Sequence, residues 1–313
     1  MKNKFWTLLE EKKILIADGA WGTEIAKNQQ IKFTYPEILN LTHPEIVKKV
    51  AASYVEAGAD IILTNTFGAN IFKLKKYGAD DKINEINQKG VEISRKAAGD
   101  NIVFASMGPT GELLEPYGNI TKKEMEDCFK QQAEILIKSG ADGIVIETMS
   151  DINEALCALK AVKSITDRTV IVSMTFSRTL NGYRTLMGTS AGECAILLKR
   201  SGADVIGSNC GSGIEDFVSI VREMNAENIP ILAPASITIS FLLICNFYIN
   251  KVLLLLQQTY LLMPDIKNQK IPKLDSMLQE CEKFGIPIDY EQVNRSVIGN
   301  FVEYGIGDIS NGK

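Results

Sequence analysis

The sequence predicts an α/β fold in which parallel strands alternate with helices and close into a barrel. Three observations carry that expectation. Short apolar runs alternate with amphipathic helical stretches in one repeating order up to about residue 236. One pattern occurs three times: a Gly-Ala-Asp step, an apolar run, then a polar residue of chemical interest. Those polar residues stand at a constant offset. The seventh position after Gly58, Gly140 and Gly202 is Asn65, Glu147 and Asn209, and Cys210 follows the last directly.

A glycine behind a helical stretch is the usual C′ residue, because it takes the left-handed conformation there without penalty. The apolar run behind it reads as a buried parallel strand. Three strands therefore start alike and end at one height, with an amide, a carboxylate, and an amide plus a thiol. In barrels of parallel strands the chemistry gathers at the C-terminal strand ends, so the repeat maps a candidate site.

Seven strands are expected, at 14–17, 61–65, 102–107, 143–148, 170–175, 205–210 and 231–235. Helices are expected between them. The stretch 44–57 has Pro44 in its first turn and an apolar stripe, which suits a helix start. Helical patterns also cover 80–98, 121–139, 151–164 and 190–201. Thr121 with Glu124, and Ser190 with Glu193, have capping-box spacing. Asp151 stands where an N-cap belongs. Seven units in one direction fit either a doubly wound sheet or a closed barrel. Strands that all end in candidate site residues favour the (β/α)8 TIM-type barrel, with an atypical C-terminal end.

At 313 residues one large barrel domain is sufficient, and 45 % hydrophobic content gives it an ordinary core. A net charge of −4 with scattered Lys and Arg gives no reason to expect nucleic acid. The polar N-terminal stretch is no signal peptide. Six cysteines (Cys128, Cys157, Cys194, Cys210, Cys245, Cys281) show no CxxC spacing. Free thiols in a reducing cytoplasm are the natural reading. His43 is the single histidine, which sets aside a histidine dyad or a multi-histidine metal site.

Beyond Ser236 the composition changes. Residues 237–263 are largely apolar but are broken by Asn246, Asn250, Lys251, Gln257 and Gln258. A membrane span needs roughly 20 apolar residues with few breaks, so buried strand and helix are expected instead. A helix is expected at 274–284. Gly305 begins what resembles a degenerate fourth copy of the repeat. The expected division is thus residues 1–236 as the barrel's first seven strand units, and 237–313 as a segment completing or replacing the last.

Four places could carry chemistry. Asp18 ends the first strand and is followed by Gly19 and Gly22, a loop that either exposes backbone N–H groups to a ligand or simply turns. Thr64, Asn65 and Thr66 set two hydroxyls around an amide; Asn65 reads equally as a ligand-facing group or a turn former. Glu147 is a carboxylate at a strand end, costly unless paired, so it either faces a ligand ammonium or base chemistry, or bridges to a helix. Cys210, with Gly207 and Gly211 near it, is either a small hydrophobe or, by its place on the strand-end ring, a site residue approached closely by a ligand. Gly108 to Glu112 offers a further backbone-rich loop.

In this order the motifs resemble the homocysteine S-methyltransferase family, and most of all the N-terminal homocysteine-binding barrel of cobalamin-dependent methionine synthases. They are ADGAWGTE at 17–24, LTNTFGAN at 63–70, GPTGELLEPYG at 108–118, GIVIETMSD at 143–151 and GSNCG at 207–211, with LMGTSAGE at 186–193 in support. The match spans about residues 10–235.

The resemblance implies methyl transfer to the homocysteine thiol, giving methionine. It implies a zinc ion on cysteine thiolates that binds and deprotonates that thiol. By motif, Cys210 would be the first zinc ligand and Glu147 would face the amino group of homocysteine. Asp18, Gly19, Gly22 and Thr23 would line the amino-acid end, and Asn65 would support metal or substrate. The donor would be methylcobalamin or methyltetrahydrofolate, held by cobalamin- and folate-binding domains in trans or in a longer protein; this chain would not bind cobalamin itself. The family's other zinc ligands are an adjacent cysteine pair, and no Cys-Cys pair occurs here. Only Cys245 and Cys281 lie downstream. Two readings stay open: a zinc-dependent methyltransferase with rearranged ligands, or a non-catalytic barrel that keeps the amino-acid pocket.

Overall fold

A computed structural model describes residues 4–12, 14–26, 32–211, 214–225, 229–235 and 252–256. The strands are β1 (Ile14–Ala17), β2 (Ile61–Leu63), β3 (Ile102–Met107), β4 (Gly143–Met149), β5 (Thr169–Thr179), β6 (Gly182–Arg184), β7 (Val205–Gly211), β8 (Ile231–Ala235) and β9 (Val252–Leu256). The helices are α1 (Lys4–Lys12), α2 (Trp21–Ala26), α3 (Leu39–Thr42), α4 (Pro44–Glu56), α5 (Ile71–Lys76), α6 (Ile83–Ala98), α7 (Lys122–Lys138), α8 (Ile152–Lys163), α9 (Ala191–Arg200) and α10 (Ile214–Met224).

Eight of the strands close into a ring of parallel pairs. The order runs β1, β2, β3, β4, β5, β7, β8, β9 and back to β1. This is the TIM-type barrel. The short β6 pairs antiparallel with the extended end of β5, a hairpin standing off the ring. All seven expected strands form. The eighth, β9, comes from the apolar segment after Ser236 and pairs residue by residue with β1 and β8. The expected helix at 274–284, Cys245, Cys281 and Gly305 lie outside the described residues. No helix among the described residues is long and apolar enough to cross a membrane.

The Gly-Ala-Asp repeat is a device for starting strands. Gly58, Gly140 and Gly202 have φ of 89°, 101° and 91°, the left-handed conformation that ends α4, α7 and α9. Each following Ala is buried. Each Asp then stitches its strand to the previous one. Asp60 Oδ2 accepts from Ile16 N–H at 3.0 Å, Asp142 Oδ2 from Val103 N–H at 2.9 Å, and Asp204 Oδ2 from Val170 N–H at 2.8 Å. A cation neutralises each carboxylate: Lys12, Arg95 and Lys163, all at 2.5 Å. Both capping boxes and the Asp151 N-cap form as the sequence predicts.

Strand residues alternate between two cores, as a period of two requires. Leu15, Ala17, Ile61, Leu63, Phe104, Val145, Ile171 and Leu232 pack together with Phe5 and Leu9 of α1. The Phe5 and Phe104 rings stack 5.5 Å apart, so α1 packs against the barrel's inner core. Ile62 and Val103 instead join Val47, Ala51 and Tyr54 of α4. The sequence reading placed no element at α1, whose nine residues carry a lysine at each end and stood out only as a polar N-terminal stretch.

Candidate functional site

The ends of β1, β3, β4, β5 and β7 converge on one polar cluster. Asp18 follows β1 with its side chain fully buried. Its Oδ2 accepts from Trp21 Nε1 at 2.8 Å and from Leu63 N–H at 2.7 Å. Its Oδ1 faces no hydrogen-bond partner among the described residues. Burial drives the Asp18 pKa well above the ordinary carboxylate range, against the two hydrogen bonds, and the negative charge of Glu147 pushes the same way.

Glu147, on β4, is half-buried. Ser106 Oγ on β3 donates to its Oε1 at 2.5 Å, and Asn209 Nδ2 on β7 donates to its Oε2 at 3.2 Å. Both partners are neutral, and no ion pair reaches Glu147 among the described residues. Burial raises its pKa, opposed by the Ser106 hydrogen bond. A carboxylate so placed has unspent capacity for a cation.

Cys210 is exposed, and its backbone is left-handed at φ 57°. Its neighbour across the β4–β7 gap, Thr148, is also left-handed at φ 62°. Such conformations are uncommon outside glycine, and for a β-branched threonine they mark a special site. Thr148 Oγ1 lies 3.8 Å from Cys210 Sγ. Burial around the sulfur raises the thiol pKa, the Thr148 contact lowers it, and Glu147 raises it further.

The other expected site residues divide. Gly19 continues the loop after Asp18, and Gly22 and Thr23 sit exposed in the first turns of α2. A Cβ on Gly22 would meet nothing within 4 Å, so the start of α2 is open there. Asn65 uses its amide elsewhere. Its Nδ2 donates to Pro36 O at 2.9 Å and Asn40 Oδ1 at 3.0 Å, and Asn40 Nδ2 donates back to Asn65 O at 2.8 Å. The amide thus ties the β2–α5 loop to the 3-10 turn at Pro36–Ile38. Gly207 is also explained by packing rather than by ligand approach: a Cβ there would stand 2.3 Å from Leu232 O on β8.

Ser106 and Ser173 were not picked out from sequence, and Asn209 was marked as a strand-end amide without a role of its own. Asn209 Oδ1 accepts from Thr148 N–H at 3.0 Å and Ser173 Oγ at 2.7 Å, and its Nδ2 also donates to Thr148 Oγ1 at 2.8 Å. The signal for Asn209 was its place in the repeat. For the serines it was a hydroxyl interrupting an otherwise apolar strand.

A second buried group lies outside this cluster. Glu37 accepts from Gly68 N–H at 2.5 Å, and Glu154 accepts from Thr110 N–H at 2.7 Å and Thr110 Oγ1 at 2.6 Å. Lys73 stands 4.7 Å over the Phe67 ring and feels both carboxylates, while burial lowers its own pKa.

The fit to a metal is partial. Cys128, Cys157 and Cys194 are buried on α7, α8 and α9. No group of three or more His, Cys, Asp or Glu side chains among the described residues could hold a metal ion. Cys210 is one soft ligand where zinc takes about four.

The sequence model for homocysteine S-methyltransferases matches residues 15–253. Methionine synthase of Mycobacterium leprae (strain TN) is 29 % identical over 231 residues, covering 68 % of this chain and 19 % of that protein. Betaine–homocysteine S-methyltransferase 1 of Xenopus laevis is 28 % identical over 224 residues, 69 % of this chain and 53 % of its own. The chain therefore spans about a fifth of the one and about half of the other. The metallated form of the homocysteine methyltransferase MmuM from Escherichia coli has the same fold, with a TM-score of 0.68 at 20 % identity, covering 82 % of this chain and 96 % of that one.

Proposed function

The chain belongs to the homocysteine S-methyltransferase family, and on that premise we propose that its strand-end cluster binds homocysteine and presents the thiol for methylation to methionine. The observation that carries this reading is the Glu147 carboxylate, half-buried and held by two neutral donors, with no cation paired to it among the described residues. The α-ammonium of an amino acid supplies the missing charge. Pairing with it offsets the burial that otherwise disfavours the ionised form. Gly19, in the loop after Asp18, and Gly22 and Thr23, exposed at the start of α2, line the amino-acid end. The substrate thiol then points to Cys210; it gives up its proton to solvent, and the thiolate sulfur takes the methyl group as the donor leaves with the electrons of the broken bond.

The donor in this reading is methylcobalamin or methyltetrahydrofolate, brought by another domain or protein. Its support is that the chain spans about a fifth of the matched methionine synthase. Zinc on Cys210 is the family's means of activating the thiol, and the remaining ligands would have to come from outside the described residues. Strand β9 supports reading 237–313 as the supplier of the last barrel unit. An exposed free thiol at Cys210 suits a reducing cytoplasm.

Calorimetric titration with L-homocysteine tests the reading. Binding is expected, and Glu147→Gln should weaken it by about 1.5–3 kcal/mol, the size of a charge-assisted hydrogen bond. Absence of binding, or an unchanged dissociation constant in the variant, overturns it.

A further inference from the structure

We propose that Asn209 is the positioning residue of this site: its side-chain amide holds Thr148 in the left-handed conformation and so fixes Glu147 and Cys210 as one unit. The inference deepens the homocysteine reading and rests on it for its binding arm only.

The geometry is specific. One amide group reaches three strand ends. Its oxygen accepts from the Thr148 backbone N–H at 3.0 Å and from Ser173 Oγ on β5 at 2.7 Å. Its nitrogen donates to Thr148 Oγ1 at 2.8 Å and Glu147 Oε2 at 3.2 Å, and stands 3.6 Å from Cys210 Sγ. Thr175 Oγ1 secures the Asn209 carbonyl at 3.0 Å. Thr148 is thus gripped at both its backbone and its hydroxyl by the same amide.

That grip falls on the residue that most needs it. A threonine at φ 62° holds an unfavourable conformation that persists only where its surroundings impose it. The register of β4 with β5 shifts between Ile146 and Met149, the stretch that contains Thr148. The shift spends residues at the strand end, and the left-handed turn aims Thr148 Oγ1 at the thiol of Cys210, itself left-handed at φ 57°. Two unfavourable backbone conformations therefore face each other across β4 and β7, with Asn209 between them. Without the amide, Thr148 relaxes toward an ordinary strand conformation and swings the adjoining Glu147 carboxylate with it.

Two measurements on the full chain test this. The first needs no ligand: hydrogen exchange at the Thr148 amide, corrected for any change in global stability. In Asn209→Ala it should speed up at least tenfold. In Asn209→Asp, which keeps an acceptor for that N–H, it should stay near the parent rate. Unaltered exchange in Asn209→Ala, or fast exchange in Asn209→Asp, overturns the proposal, and the Asp variant decides the point if the Ala variant does not fold.

The second is homocysteine affinity. Asn209→Ala should lose at least tenfold, and adding Thr148→Gly should recover at least threefold of that loss, because glycine takes the left-handed conformation without penalty; the part not recovered is the lost hydrogen bond to Glu147. Loss without recovery would make Asn209 a direct ligand contact and overturn the positioning role. If the parent chain binds no homocysteine, the functional reading fails, while the exchange measurement still decides whether Asn209 holds Thr148.

Discussion

Ser106 Oγ and Glu147 Oε1 lie 2.5 Å apart, on adjacent strands β3 and β4. The serine is a neutral donor built into the barrel wall, and it keeps one carboxylate oxygen occupied. The ionised form of Glu147 is thereby favoured in a place where burial opposes it.

Removing that donor should therefore weaken the hold on a cationic group. Ser106→Ala is expected to lower homocysteine affinity about tenfold, equivalent to about 1.4 kcal/mol. Isothermal titration checks it. An unchanged dissociation constant would show that Glu147 does not need the hydroxyl to meet an ammonium.

Cys210 is exposed at its strand end, so exchanging its sulfur for oxygen should leave the fold intact. Cys210→Ser is expected to melt within about 2 °C of the parent, a shift of no more than about 1 kcal/mol for a domain this size. Zinc per chain and methyl transfer, measured on metal-replete reduced protein, should both fall. A parent chain that holds zinc and loses it in the variant has recruited further ligands. A parent chain that binds homocysteine without zinc and without turnover is an amino-acid-binding barrel.

Glu154 should make stability depend on pH. Burial lifts its pKa above the ordinary 4.5, opposed by the Thr110 hydrogen bonds, with Asp151 raising it and Lys73 lowering it. A carboxyl with a raised folded pKa stabilises the fold fully below its unfolded pKa, and that contribution is lost as pH rises through the folded value. Glu154→Gln cannot ionise, yet its amide oxygen still accepts from Thr110. Its melting temperature relative to the parent should therefore climb as pH rises from 4.5. A difference that stays constant, or shrinks, over that range would contradict this.

Gly207→Ala tests the packing account of that glycine. The added Cβ would stand 2.3 Å from Leu232 O, and neighbouring backbone in the barrel wall has little room to yield. Destabilisation of about 1–3 kcal/mol is expected in denaturant unfolding, the usual scale for overpacking. A variant as stable as its parent would return Gly207 to the ligand side.

The sequence by itself determined the barrel and pointed to its C-terminal strand ends as the candidate site. Strand starts were legible because Gly58, Gly140 and Gly202 satisfy a backbone requirement that few other residues meet. Glu147 and Cys210 were legible because a polar residue after a buried run must face something that compensates it. Tertiary structure alone decided how those residues are held. Asn65 and Asn209 occupy equivalent places in the repeat, yet one amide is used by a loop and the other by the strand-end cluster. The difference lies in partners far away in the chain: Pro36 and Asn40 for the first, Glu147, Thr148 and Ser173 for the second. The eighth strand was legible only in part, for a similar reason: buried strand and helix were expected within 237–263, but with no position for either. Val252–Leu256 lies in an apolar run without the repeat's signals, and its identity as a strand comes from the open edges of β8 and β1 that it pairs with. Local propensity sets where a chain can turn and which face it buries, whereas a hydrogen bond between strand ends exists only once the ring has closed.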